Sequence, residues 1–315
     1  MFTKFSPHTR AVLQALFVTF LWSTSWVFIK IGLQGALPPL TFAGLRYTLA
    51  FICLLPILLR RPALVESVRQ MSGRTWMTMV VLGLVYYAAN QGAQFVGLAL
   101  LPATTVNLLL SFAAVVVTLL SIGLLAERPT RLQWLGVGLY LLGTLTYFYP
   151  AALPSDQILG ILVVIGGVLS NAAATLIGRK INREGHFHPL VVTTISMGAG
   201  SLVLLTAGIL TQGFPTLTLL QWGIVGWLAL VNTAFAFTLW NHTLRTLSAM
   251  ESSVINNAML IQIPILAWFF LGEGLTIKQV TGFALAGLGI LVVQVFSARK
   301  QNSIRQRTAI RANME

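Results

Sequence analysis

The residues of this sequence that could do chemistry are amides, hydroxyls, aromatic rings and single cations set inside long apolar runs. At about 100° of rotation per helical residue, those within one run share a face. The candidate binding residues on these faces are Trp22, Trp26, Arg46, Tyr86, Tyr87, Asn90, Gln94, Asn107, Ser111, Asn232, Trp240, Asn256 and Asn257. Polar groups in hydrocarbon are costly unless they face protein or water, so the pattern predicts a cavity for a small amphipathic solute. The alternative is that these side chains only bridge packed helices.

Five charged residues of the sequence can be interpreted individually, three of them in two ways. Arg46 lies roughly 10 Å along its apolar run, where it either pairs within the protein or meets an anionic group such as a substrate carboxylate. Lys30 either extends to the membrane interface or attracts an anionic solute. Glu251 suits the start of a helix, with a proton relay as the alternative. Glu273, like Glu127, is expected to brace neighbouring helices at a turn.

Catalytic and metal-binding patterns are missing from the sequence. It contains no H-E-x-x-H, no G-x-S-x-G and no P-loop, and its single aspartate, Asp156, lies in a predicted loop. Cys53 is the only cysteine, and His242 is interpreted as polar packing. We therefore expect no enzyme activity, no cofactor and no metal site. An intramembrane enzyme is the least favoured alternative.

The composition of the chain indicates that these side chains lie in membrane-spanning helices. The chain has 315 residues, of which 56% are hydrophobic and 9% charged, whereas soluble domains carry about 25% charged residues. Long apolar runs of roughly 20 residues predict membrane-spanning helices. Ten segments meet this criterion: 12–33, 39–59, 76–98, 103–125, 132–149, 158–178, 189–210, 221–244, 249–271 and 277–297. The first is interpreted as a retained helix rather than a signal peptide.

The distribution of basic residues predicts the orientation. The formal net charge is +13, and nearly all loop lysines and arginines fall on the side of the N-terminus; Lys278 is the exception. Basic loops favour the cytoplasm, so both termini and the basic tail 298–315 are expected there, in a bacterial inner (plasma) membrane. The charges lie between apolar runs and form no continuous basic face, so no nucleic-acid partner is expected. The lipid bilayer is the expected surrounding.

The chain repeats itself at an offset of 146 residues. The pattern Glu127-x-x-Thr130-x-x-Gln133-x-x-Gly136 recurs as Glu273-x-x-Thr276-x-x-Gln279-x-x-Gly282. Each half, 12–149 and 158–297, then holds five helices, and an odd number gives the halves opposite orientations in the membrane. The predicted fold is an all-α membrane protein of ten transmembrane helices in two inverted five-helix repeats around a central cavity.

The sequence resembles the EamA-type members of the drug/metabolite transporter superfamily. The residues that carry the resemblance are Leu21-Trp22-Ser23 with Lys30, Pro39 with Leu45-Arg46-Tyr47, Leu101-Pro102-Ala103, and Leu271-Gly272-Glu273. The resemblance implies transport, often export, of amino acids, related metabolites or drugs by alternating access. Family members often carry a proline midway along helices 4 and 9; here helix 4 has none, and Pro264 lies closer to the Glu273 turn.

The expected partner is therefore a small-molecule solute, with a proton gradient or a solute gradient as the energy source. A channel or a non-transporting membrane sensor is the main alternative. The sequence specifies no oligomeric state.

Overall fold

The structure is a computed structural model that describes residues 6–113, 115–117, 120, 131–149, 155–184, 187–243, 246–247 and 255–292. These residues form helices joined by short connections, and no strand occurs among them. The prediction of an all-α membrane protein is confirmed for this part of the chain.

The helices of the first half are interrupted once by a π-helical segment. They are α1 Pro7–Gln34, α2 Pro39–Leu59, α3 Pro62–Arg69, α4 Gly73–Gly83, α5 Gly92–Leu100, α6 Ala103–Ser111 and α7 Arg131–Phe148. The π-helical segment π1, Leu84–Gln91, joins α4 to α5 without a break.

The second half follows a short 3-10 turn at Ser155–Gln157. Its helices are α8 Ile158–Glu184, α9 Pro189–Gln212, α10 Leu219–Ala229, α11 Ala236–Thr243, α12 Met259–Leu271 and α13 Ile277–Val292. A second π-helical segment, π2, Leu230–Phe235, joins α10 to α11.

Local sequence signals explain where several helices begin and end. The Ser6 hydroxyl accepts a 3.1 Å bond from the Thr9 amide, and Pro7 occupies the first helical position of α1. Thr218 and Gln221 form a reciprocal capping box at the start of α10. At the end of α12, Gly272 has a φ of 66°, a left-handed conformation that glycine adopts without steric cost.

Five described helices are long and apolar enough to cross a membrane: Pro7–Gln34, Pro39–Leu59, Ile158–Gly178, Pro189–Gln212 and Leu219–Trp240. They match five of the predicted spans within a few residues. Helical segments also occupy the described parts of the other five predicted spans, and a total of ten transmembrane helices stays a prediction. The short helix α3 buries none of its residues and was not expected from the sequence.

Small residues bring the membrane-spanning helices into close contact. A Cβ atom added to Gly44 of α2 would lie 2.4 Å from the Cα of Leu205 in α9, and one added to Gly208 would lie 2.5 Å from the Thr41 backbone nitrogen. The pairing of these residues makes α2 and α9 antiparallel neighbours. Such close approach is typical of helix packing in membranes. Helices there associate through van der Waals contacts, and small residues let the backbones come close enough to make them.

Element boundaries recur at the offset found in the sequence. Helix α4 begins at residue 73 and α10 at 219, and π1 begins at 84 and π2 at 230. Each second element starts 146 residues after its counterpart. The sequence repeat is therefore also a repeat of local structure.

The two helices α7 and α13 contact each other through glycines at equivalent repeat positions. A Cβ added to Gly143 would lie 2.5 Å from the carbonyl oxygen of Gly282, and one added to Gly289 would lie 2.5 Å from that of Gly136. The later residue of α7 thus meets the earlier residue of α13, so the helices are antiparallel. Gly143 and Gly289 are repeat counterparts, and so are Gly136 and Gly282. The contact of Gly143 with Gly282 therefore corresponds to the contact of Gly289 with Gly136, and the pair of contacts is symmetric.

Candidate functional site

A cavity of about 280 Å³ lies between helices of both halves. Ten of the thirteen predicted binding residues line it: Trp22, Trp26, Arg46, Tyr86, Asn90, Gln94, Asn107, Ser111, Asn256 and Asn257. The structure therefore brings most of the predicted polar faces together in one place, and substrate binding by them stays a prediction. We call this space the central cavity.

Arg46 is the only arginine or lysine that lines the central cavity in the described part of the chain. Its side chain is 4% exposed, its Nε donates a 3.1 Å bond to the Thr233 hydroxyl of π2, and its guanidinium carbon lies 5.0 Å from the centre of the Tyr47 ring. Among the described residues, no carboxylate forms an ion pair with it. A guanidinium has five N–H donors, of which the bond to Thr233 uses one.

Aromatic rings form the wall beside Arg46. The Tyr47 hydroxyl donates a 2.7 Å bond to Gln91, and the Tyr47 and Tyr87 rings meet edge to face at 5.4 Å between centroids. Tyr86 in turn contacts Tyr87 at 4.9 Å. Tyr87 supports the two cavity-lining tyrosines from behind and does not itself line the cavity. Packed rings of this kind make a rigid apolar wall with a hydroxyl at its edge.

Two buried donors at the central cavity have no acceptor among the residues that the structure describes. They are the indole Nε1 of Trp22 and the amide Nδ2 of Asn107. Buried polar groups in proteins are nearly always hydrogen-bonded, and each unsatisfied one costs about 1–3 kcal/mol. A ligand or water that accepts from both groups would remove that cost.

The π-helical segments change which side chains face the cavity. A π-helix leaves backbone carbonyls displaced from their usual partners, and in π2 the Thr233 hydroxyl donates to the Leu228 carbonyl five residues earlier at 2.8 Å. The same hydroxyl accepts from Arg46. In π1, Gln91 lines the cavity next to Asn90, although it was not assigned to that face from the sequence.

Helices 4 and 9 of the predicted spans both break where they reach the cavity. Helix α6 ends at Ser111, with a turn at Phe112, and α12 is preceded by a turn at Asn257 and Ala258. The Leu108 carbonyl accepts from the Ser111 hydroxyl at 2.6 Å and from the Tyr140 hydroxyl at 2.7 Å. Hydroxyl groups thus interrupt α6, although α6 lacks the proline common in the family. The sequence did not predict this interruption.

Three predicted binding residues do not line the central cavity. Tyr87 packs behind Tyr86, and Trp240 packs against Trp22 at 5.2 Å between ring centroids. The Asn232 amide donates to the Leu21 carbonyl and, at 3.3 Å, to the Thr24 hydroxyl, so it joins π2 to α1. All three lie one layer behind the cavity wall, because their faces meet neighbouring helices.

Several cavity-lining residues were missed. They are Ser25, Tyr47, Gln91, Leu110, Asn171, Phe237, Met259 and Leu260. Asn171, an amide inside a predicted span, carried the same sequence signal as the residues that were found. Tyr47 follows Arg46 directly and was not assigned to the cavity face from the sequence.

Lys30 and Glu273 bind the same connection, between α5 and α6. The Lys30 ammonium donates to the carbonyls of Leu98 and Leu101 at 2.7 and 2.6 Å and so caps the C-terminal end of α5. The two sequence interpretations of Lys30 stay predictions. Glu273 accepts from the Ala103 amide at 2.7 Å and from the Thr104 amide and hydroxyl at 3.1 Å each. Glu273 therefore braces a neighbouring helix, as predicted.

Some residues named from the sequence lie outside the described residues, namely Glu127, Thr130 and Glu251. Within the described residues, no group of three histidine, cysteine or acidic side chains could hold a metal ion.

The chain is similar to known transporters along nearly its whole length. The model of the EamA-like transporter family matches residues 9–149 and again residues 158–295. The relative "Uncharacterized transporter YoaV" of Bacillus subtilis is 27% identical, covering 92% of this chain and 99% of that protein. The "Probable amino-acid metabolite efflux pump" of Salmonella typhimurium is 26% identical, covering 92% and 96%.

Two further similarities concern localisation and fold. The "Uncharacterized inner membrane transporter YedA" of Escherichia coli K12 is 26% identical, covering 89% of this chain and 88% of that protein. A solved crystal structure superposes with a TM-score of 0.65 at 19% identity, covering 92% of this chain and 99% of the other, and shares the fold.

Proposed function

We propose, on the premise that this chain belongs to the EamA-like transporter family, that it is a secondary transporter of small organic metabolites. Its substrates are amino acids or related amphipathic solutes that carry a carboxylate, and export is the proposed direction. The observation that carries this proposal is Arg46, a buried cation without a carboxylate partner among the described residues, at the wall of a cavity lined by amides and aromatic rings.

The chemistry of the cavity supports this class of substrate. A carboxylate is the natural partner of a guanidinium, because the planar fork of N–H donors matches its two oxygens. The Trp22 and Asn107 donors supply further hydrogen bonds, and the Tyr86 and Trp26 rings suit an apolar side chain. A volume of about 280 Å³ lies just below the range of ligand pockets, about 300 to 1,000 Å³, and suits a metabolite of amino-acid size.

The proposed mechanism is alternating access between two inverted halves, residues 12–149 and 158–297, with five transmembrane helices each. The match of the family model to each half and the recurrence of element boundaries support this arrangement. So does the exchange-symmetric contact of antiparallel α7 and α13, because a two-fold axis relating antiparallel helices runs perpendicular to them. In a membrane, such an axis lies in the plane of the bilayer.

The contacts of Glu273 suggest one step of this mechanism. Its bonds to Ala103 and Thr104 join the turn before α13 to the start of α6, and so join the two halves at one face. These bonds would have to break for the cavity to open at that face. A proton or solute gradient would supply the energy.

The proposed location is a bacterial inner membrane with both termini in the cytoplasm. The basic loops on the N-terminal side support this orientation, and the relative YedA is named an inner membrane transporter. The name of the Salmonella relative supports export of amino-acid metabolites.

Counterflow in proteoliposomes tests the proposal. Vesicles preloaded with unlabelled amino acid should accumulate labelled amino acid transiently and saturably, whereas a channel would only equilibrate it. The Arg46→Gln variant should bind carboxylate solutes about tenfold more weakly or worse, since a charge-assisted hydrogen bond contributes about 1.5–3 kcal/mol, and neutral analogues should be less affected.

Arg74→Gln is the matched control, because Arg74 is exposed near the start of α4. Equal losses for carboxylate and neutral solutes in Arg46→Gln would assign Arg46 a structural role. Unsaturable flux without counterflow would contradict the carrier mechanism.

A further inference from the structure

A second pocket, of about 530 Å³, opens on the face of the helix bundle where α1 begins. It lies where α2 ends, α9 begins and α11 ends. Its lining combines three basic side chains, Arg61, His188 and His242, with an apolar wall that includes Ile57 and Phe237. We call it the basic pocket.

The charges around the basic pocket favour binding of an anion. None of its lining residues in the described part of the chain is acidic. The first residues of the 24-residue helix α9, Pro189 and Leu190, also line it, so the positive end of the helix dipole adds to the three basic groups. The Nδ1 of His188 accepts a 3.1 Å bond from the Leu190 amide, which holds the imidazole ring at the start of α9.

The apolar wall distinguishes the expected ligand from a simple anion. Leu54, Ile57, Leu190 and Phe237 line the pocket beside the basic groups, and Ile57 is 44% exposed on α2, a helix long and apolar enough to span a membrane. Basic pockets between transmembrane helices bind the headgroups of acidic lipids. A soluble phosphate would use the basic groups and would gain nothing from the apolar wall.

We propose that the basic pocket binds an acidic phospholipid of the adjacent leaflet. The phosphate lies among Arg61, His188 and His242, and an acyl chain follows the apolar wall formed by α2, α9 and α11. This binding is separate from solute transport and does not depend on the proposed function. Phe237 lines both the basic pocket and the central cavity, so the lipid occupies the space directly behind one wall of that cavity.

Native mass spectrometry and thermal unfolding of the purified full chain test this site, with phosphatidylglycerol compared with phosphatidylcholine. Phosphatidylglycerol should bind preferentially and raise the unfolding temperature by mass action. Arg61→Gln and His242→Gln should each weaken phosphatidylglycerol binding about fivefold or more. Because Arg61 and His242 are exposed, neither change should prevent folding.

Arg60→Gln is the matched control, since Arg60 is the adjacent exposed arginine and does not line the pocket. It should keep the wild-type preference. Equal losses in Arg60→Gln and Arg61→Gln, or equal binding of the two lipids, would overturn the proposal in favour of diffuse surface attraction. Stabilisation by inorganic phosphate alone to the same extent would also overturn it, because the ligand would then be a free anion.

Discussion

The Nε of Arg46 donates a 3.1 Å hydrogen bond to the Oγ1 of Thr233, a residue 187 positions later in the chain. The bond joins α2 to π2, and the next residue of α2, Tyr47, binds Gln91 of π1. Two consecutive residues of one helix therefore contact the two π-helical segments that stand at equivalent positions of the repeat. The polar groups of the central cavity are held in register by these two bonds.

Thr233→Val should lower the affinity for carboxylate solutes while leaving the protein folded. The change removes the hydroxyl that accepts from Arg46 and keeps the shape of a fully buried side chain. The guanidinium would then be free to rotate, and its binding of a carboxylate would be weakened by about 1.5–3 kcal/mol. Solute affinity measured by thermal shift would show the loss. Thr211→Val is the control, because that exposed hydroxyl binds only the Ala207 carbonyl of its own helix.

Asn107→Leu should stabilise the unliganded protein, or leave its stability unchanged, and should impair solute binding. The Asn107 Nδ2 is buried without a partner, so an apolar side chain of similar size removes a desolvation cost of about 1–3 kcal/mol. Unfolding temperature and solute-induced shift can be measured on the same sample. A variant that is less stable and still binds solute normally would show that this amide is a packing residue.

Asn232→Ala should lower the stability and leave solute binding unchanged, the opposite of Asn107→Leu. Its amide joins π2 to α1 through Leu21 and Thr24 and does not line the central cavity. Removing it should lower the free energy of unfolding by about 1–3 kcal/mol, since the Leu21 carbonyl loses a partner in a buried contact. The folded fraction should keep its solute affinity. A weakened affinity with unchanged stability would contradict this assignment.

Glu273→Ala should lower stability through the start of α6. The carboxylate accepts three hydrogen bonds from Ala103 and Thr104 at the positive end of that helix, and loss of such a cap costs about 0.5–2 kcal/mol. Glu66→Ala is the control, because exposed Glu66 has one bond to Gln70 within α3 and its loss should change little. Comparable unfolding temperatures for the two variants would rule out the cap as a source of stability.

Gly143→Leu should prevent correct packing of α7 against α13. A Cβ at this position would lie 2.4 Å from the Ala286 backbone nitrogen, and overpacking of this kind costs about 1–3 kcal/mol or more. Gly138→Leu on the same helix is the matched control, since no atom lies within 4 Å of a Cβ built there. Size-exclusion profiles and unfolding temperatures should separate the two variants. Normal behaviour of Gly143→Leu would refute the close contact between the helices.

Much of the fold and of the candidate site could be predicted because hydrophobicity and helical period are local properties. The run of apolar residues in 39–59 predicts the helix that the structure contains, and the rotation of about 100° per residue predicts that Asn90 and Gln94 share a face. The sequence analysis missed Gln91, which lies in the π-helical segment π1, and the sequence carried no proline or other marker of that segment.

The sequence by itself determined the helical membrane class, the 146-residue repeat and most of the residues that face the central cavity, because each of these follows from the order of polar and apolar side chains along the chain. Only the tertiary structure decided which groups the polar side chains contact. The ammonium of Lys30 binds the backbone carbonyls of Leu98 and Leu101, which every residue type possesses, and Asn232 and Asn107 differ only in what surrounds them. A contact between distant segments depends on three-dimensional distance, and no local pattern of residues encodes that distance.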